Sequence, residues 1–217
     1  MSSQSSREKI LSKISGALQA NSLPMPFPEA DKADDFFVHE EISAEEKFAI
    51  EFSKLGGKYI YCENELEMIA QLDALSDTMK WKGIHVKDSF LQQLFSEHEL
   101  KNIITSNDMS QIEVGLSLTE CLVARTGSVI MSSSMDHGRA LPVYAPIHII
   151  IAFANQVVWN ISDALDFLKQ KYPKGLPSMV SLTTGPSRTA DIEKTLVVGV
   201  HGPKEVYVFF VDKHWKQ

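Results

Sequence analysis

The residues best suited to chemistry lie late in the chain, in the run Ser181-Leu-Thr-Thr-Gly-Pro-Ser-Arg-Thr-Ala-Asp-Ile-Glu193 and in Gly199-Val-His-Gly-Pro203. Small residues, hydroxyls, one guanidinium and two carboxylates gather there where an apolar strand pattern, Met179-Val180-Ser181-Leu182, ends. Gly185-Pro186 breaks that pattern. Ser187, Arg188 and Thr189 then set hydroxyls and a cation beside backbone N–H groups, which are expected to open a short helical turn. Such a loop suits an anionic ligand group, because a planar guanidinium meets carboxylate or phosphate at two points. The same residues also make an ordinary surface turn, with Ser187 or Thr189 as its cap, Asp191 in its first residues and Arg188 paired with Glu193. Residue types alone leave both readings open.

Other candidates stand apart from this run. His201 lies between Gly199 and Gly202, where an imidazole can act as acid, base or hydrogen-bond donor; a ring bonded to a turn carbonyl is an equal alternative. Arg139, between Gly138 and Leu141-Pro142, is a second candidate cation, although a polar loop also carries arginine for solubility. His148 sits among isoleucines and is expected as a hydrogen-bonded core histidine, with a place in the pocket as the second reading. Asp191 and Glu193 are two apart and share a face only in extended chain, so paired-carboxylate catalysis is not indicated. Metal spacings of the His-x-His or His-Glu-x-x-His kind are missing, as are the Gly-rich phosphate loops of nucleotide-binding proteins.

The elements that must position these residues alternate. A helix is expected over 5–19 from Ile10, Leu11, Ile14 and Leu18, and its apolar stripe needs something to lie on. Residues 21–43, with Pro24, Pro26, Pro28 and a cluster of acids, read as an extended connector to a domain over 44–217. Within it, Phe48, Ile50, Phe52 and Leu55 mark a helix ended by Gly56-Gly57. Strands are expected at 59–62, 82–86, 101–105, 120–124, 128–132, 147–153, 178–183, 195–200 and 205–211, and helices at 64–76, 87–96 and 161–171. Strand after helix after strand, in continuous apolar runs, predicts an α/β fold with a mainly parallel sheet and helices on both faces. Arg125-Thr126-Gly127 should form a tight turn at which Gly127 admits a ligand or another backbone. Ligands of open α/β sheets bind at the carboxyl ends of strands, so Thr126-Gly127-Ser128, Gly185 to Asp191 and Gly199 to Pro203 are expected to share one pocket there.

Taken in order, Ala124-Arg-Thr-Gly-Ser128, Gly138-Arg139, Leu141-Pro142, His148 in its apolar strand, Gly185-Pro-Ser-Arg-Thr-Ala-Asp-Ile192 and His201-Gly-Pro203 resemble the LUD-domain family over roughly residues 40 to 212. One departure is visible: the family commonly has an acidic residue before Thr-Gly, where this chain has Arg125, with Glu120 the nearest carboxylate. The resemblance implies a fold related to the ribose-5-phosphate isomerase, CoA-transferase and 5-formyltetrahydrofolate cyclo-ligase group. It also implies a cytoplasmic subunit of a system that oxidises L-lactate to pyruvate. The redox centres would sit in iron–sulfur partner proteins, and this chain would hold no cofactor. On that reading Thr126, Gly127, Ser128, Arg139, Gly185, Ser187, Arg188, Thr189, Asp191 and Gly202 surround a carboxylate- or phosphate-bearing ligand, and His201 is the candidate proton donor. The alternative is a self-contained enzyme for group transfer or ring closure on a phosphorylated, CoA-linked or folate-like substrate.

Whole-chain properties narrow the classes further. With 217 residues and 44% hydrophobic composition, one domain with a sizeable core plus an extension is expected. The net charge of −7 and the lack of clustered Lys and Arg argue against nucleic acid as a partner. Cys62 and Cys121, far apart in sequence, supply neither a disulfide framework nor four thiolates for a cluster. The longest apolar run, Ile147 to Ala154, is too short to span a bilayer, so no membrane partner is expected, whereas self-association stays open.

Overall fold

The computed structural model describes residues 5–20, 41–105, 108, 112–192 and 195–215, with the backbone alone for 19, 20, 190–192 and 195–197. The connector expected over 21–43 therefore lies, for residues 21–40, outside the described residues, as does Glu193. The chain divides into two compact units, Met1–Glu41 and Ile42–Gln217. In the first, helix α1 (Ser6–Ala20) opens with Ser5 Oγ accepting from Glu8 N–H.

In the second unit, α2 (Ala44–Lys54) begins at Ser43, whose hydroxyl accepts from Glu46 N–H, and carries Glu45 and Glu46 where the helix dipole favours acids. Strand β1 (Lys58–Cys62), α3 (Glu65–Met79), β2 (Ile84–Val86), α4 (Ser89–Glu97), β3 (Ile103–Ile104) and β4 (Val114–Leu118) follow. Next come β5 (Cys121–Val123), a 3₁₀ turn at Ala124–Thr126, β6 (Ser128–Ser132), α5 (Leu141–Tyr144), β7 (Ile147–Phe153) and β8 (Val157–Val158). The chain ends with α6 (Ile161–Lys171), β9 (Val180–Thr183), the hairpin β10 (Arg188–Ile192) and β11 (Thr195–Val198), and β12 (Glu205–Val211).

Six strands form a parallel sheet in the order β1-β12-β7-β4-β2-β3, and β8-β5-β6-β9 form a smaller mixed sheet. This is the expected α/β architecture. The strands are apolar on both sides because both sides are covered. Tyr207, Phe209 and Val211 of β12 meet Met68 and Leu72 of α3 and Leu91 and Phe95 of α4 on one face. Val206, Val208 and Phe210 meet Phe48 and Phe52 of α2 and Val129 and Met131 of β6 on the other. The outer side of the smaller sheet is closed by Ala164 and Leu168 of α6 against Cys121, Val123 and Ile130.

Besides the short α5 and β8, which no expected element covers, two segments depart from the sequence-based expectation. The segment 188–192, expected to open a helical turn, is strand β10, paired antiparallel with β11. Strand β4 was not expected, because Val-Gly-Leu-Ser-Leu interrupts its apolar pattern; all five residues are nonetheless buried. Gly115 leaves the space that Leu141 and Ala145 fill, and Ser117 is bonded to His148.

Candidate functional site

Two of the three loops named by the sequence, the one after β9 and the one before β12, converge, but at the amino ends of the parallel strands. Lys204 and Glu205 both donate backbone N–H to Pro146, which places Gly199–Pro203 where β12 and β7 begin and not where they end. There a cavity of about 390 Å³ is lined by Arg139, Gly185, Ser187, Arg188, His201 and Gly202, among others. A neighbouring cavity of the same size shares His201 and Gly202 and adds Lys204. Two arginines, one lysine and an imidazole thus edge one cleft, with no carboxylate among the described residues that line it. That charge balance suits an anion.

Local structure fixes these groups. Ser187 N–H donates to Pro203 and Ser187 C=O accepts from Gly199, so this loop is closed on itself and does not offer the free N–H groups that a helix start would have. Arg188 donates from Nη2 to the Leu55 carbonyl at 2.6 Å, capping the end of α2. The guanidinium is otherwise exposed, and the expected pairing with Glu193 concerns a residue outside the described ones. Arg139 Nη2 donates to Ser178 Oγ, which holds it over the start of β9.

Other expected residues are elsewhere. Thr126, Gly127, Ser128 and Thr189 do not line this cleft, and Asp191 is described only as backbone of β10. The cause at Gly127 is steric: it has φ 58°, and a Cβ there would lie 2.5 Å from the backbone nitrogen of Phe52. The close approach foreseen for this glycine is made by α2, not by a ligand. Ser128 Oγ bonds Thr126 Oγ1 and Thr184 Oγ1, tying the turn to the loop that follows β9. Arg125, in the place of the family's usual acid, donates from Nε to Asn160 Oδ1 at the start of α6 and is an anchor for that helix. His148 is fully buried, with Nε2 on Ser117 Oγ at 2.9 Å and Nδ1 without a partner among the described residues. Desolvation, reinforced by nearby His137, pushes its pKa down to about 3. The imidazole is therefore neutral core structure. Burial likewise pushes the Cys62 and Cys121 thiols up to about 12, far from a reactive thiolate.

At the opposite, carboxyl end of the sheet lies a group that motif reading passed over. Glu120, between β4 and β5, is fully buried and accepts from Ser132 Oγ at 2.5 Å, Tyr172 OH at 2.7 Å and Lys171 Nζ at 2.9 Å. The signal available was a charge inside an otherwise apolar stretch, which a fold keeps only if donors surround it.

The model of the LUD domain matches residues 29–211. The chain belongs to the LUD-domain family. Lactate utilization protein C of Bacillus subtilis is 38% identical over 106 residues, which are 48% of this chain and 44% of that protein. The protein of the same name from Bacillus licheniformis shows the same identity and coverage. The LUD chain thus aligns with less than half the length of these relatives. A crystal structure of a DUF162 family protein from Deinococcus radiodurans shares the fold, with a TM-score of 0.58 at 17% identity, covering 78% of this chain and 99% of that one.

Proposed function

We propose that this chain is a subunit of a system that oxidises L-lactate to pyruvate, acting with iron–sulfur partner proteins and contributing the basic cleft as a pocket for a small carboxylate or phosphate group. The observation that carries the reading is the similarity to relatives named Lactate utilization protein C, at 36–38% identity over about half of the chain. Oxidation of L-lactate releases two electrons and two protons, and an inert buried thiol at Cys62 or Cys121 is no relay for them. The electrons pass to the iron–sulfur partners. The part left to this chain is electrostatic: Arg139, Arg188 and Lys204 attract an anion, the guanidinium forks orient it, and His201 at the cleft edge is placed to exchange a proton.

Growth on L-lactate tests the pathway. Removing the gene from its host should abolish growth on L-lactate and spare growth on glucose, and the full chain should recover iron–sulfur proteins when purified from lactate-grown cells. Unimpaired growth on L-lactate overturns the reading. The pocket is tested separately by titrating inorganic phosphate into wild type and an Arg139→Ala/Arg188→Ala variant, with binding expected only in the former.

A further inference from the structure

The carboxyl end of the parallel sheet holds a second cleft, of different chemistry from the basic one. Two cavities of about 250 and 260 Å³ meet there and share Lys171 and Trp215. The larger-charged part is lined by Asp88 and Asp136 together with Lys171, above an apolar wall of Phe90, Leu118 and Trp215. Crevices outside strand carboxyl ends are where open parallel sheets take their ligands.

The groups are held as a built site. Glu120 has 0% and Lys171 20% of its side chain exposed, so the ammonium is pinned from behind by a wholly buried carboxylate. Such a pair is a poor source of stability compared with apolar packing. Of the three ammonium N–H donors, one is used by Glu120, the only hydrogen-bond acceptor Lys171 meets among the described residues. Across the cavity, Asp136 Oδ2 accepts from Ser89 N–H and Ser89 Oγ, and Asp88 Oδ1 caps α4 through Leu91 N–H. Two carboxylates are thereby fixed beside one another, facing the same space as the ammonium.

A simple anion would meet these acids as well as the lysine, and a simple cation the reverse. We infer that this cleft binds a small carboxylic acid bearing a hydrogen-bond donor on its α-carbon, its carboxylate on Lys171, its donor on Asp88 and Asp136, and its apolar remainder on Phe90, Leu118 and Trp215. An α-ammonium can donate to both carboxylates, and an α-hydroxyl, with its single O–H, to one of them. The site stands apart from the lactate reading, since an amino acid satisfies it equally well.

Calorimetry on the full chain at neutral pH, with L-alanine, L-lactate and propionate as probes, tests this. L-alanine or L-lactate should bind saturably and propionate, which lacks the donor, at least about tenfold more weakly. Tighter L-alanine assigns the donor as ammonium and tighter L-lactate as hydroxyl. An Asp88→Asn/Asp136→Asn variant should weaken the bound acid at least about tenfold while keeping its thermal transition, because Asn caps a helix as Asp does. Should the double variant melt early, Asp136→Asn alone carries the reading, its carboxylate being exposed. Equal binding of propionate overturns the proposal, as does no binding of any probe at millimolar concentration. Binding that survives in the Asn variants but is lost in Arg139→Ala/Arg188→Ala also overturns it, by placing the acid in the basic cleft.

Discussion

Gly127→Ala tests whether the turn after β5 is a docking place for α2. Two costs add at this position. The residue has φ 58°, and a left-handed conformation costs a residue with a Cβ about 1–2 kcal/mol. The new Cβ would also sit 2.5 Å from Phe52 N and 2.7 Å from Glu51 C, so α2 must move as backbone. Overpacking of that kind costs about 1–3 kcal/mol. The sum, about 2–5 kcal/mol, corresponds to a fall of roughly 4–20 °C in Tm for a domain of this size. Gly138→Ala is the internal control: it has φ 64° and nothing within 4 Å of its would-be Cβ, so it pays the conformational cost alone. Both variants are compared with wild type by thermal unfolding followed in the far and near ultraviolet. Gly127→Ala should melt lower than Gly138→Ala and lose more near-ultraviolet signal, because Phe48 and Phe52 stack at 5.2 Å on the helix that moves. Equal melting of the two variants refutes the close-approach argument.

Three further outcomes follow from buried groups. Glu120→Ala should cost about 3–5 kcal/mol in urea unfolding, since it strands the Lys171 ammonium and the Ser132 and Tyr172 hydroxyls; a loss below about 1 kcal/mol contradicts the buried pairing. Native protein should resist iodoacetamide at mildly alkaline pH and react at both cysteines in denaturant, and rapid labelling of the folded chain would rule out the raised thiol pKa of Cys62 and Cys121. His148 binds a proton less readily folded than unfolded, so its contribution to stability is complete above its ordinary pKa near 6.5 and is lost as pH falls from there toward about 3. The slope is about 1.4 kcal/mol per pH unit inside that window, with His85 and His137 shifted in the same direction by desolvation. His148→Gln should flatten the stability profile between pH 6 and pH 4, and an unchanged slope would show that the ring is not the titrating group.

The sequence by itself was enough for features whose causes are local. The spacing of Phe48, Ile50, Phe52 and Leu55 marks α2 and Gly56-Gly57 ends it, and the apolar run of β7, interrupted only by His148, pointed to a sheet covered on both faces. The ordered motifs from Ala124 to Pro203 were enough to point to the LUD family. Strand β4 was illegible because Gly115 and Ser117 look like surface alternation until Leu141, Ala145 and His148 are known to occupy their side of the sheet. Placement was decided by long-range pairing. Insertion of β12 between β1 and β7 sets the loop before it at the amino end of the sheet, so the glycine-rich motifs collected there although local reading had them at strand carboxyl ends. Packing of α6 against β5 and β6 put Glu120 beside Lys171 and Tyr172, some fifty residues away along the chain. No spacing rule reports such a contact, because a buried charge chooses its partners by proximity in the folded state, where desolvation makes the choice compulsory.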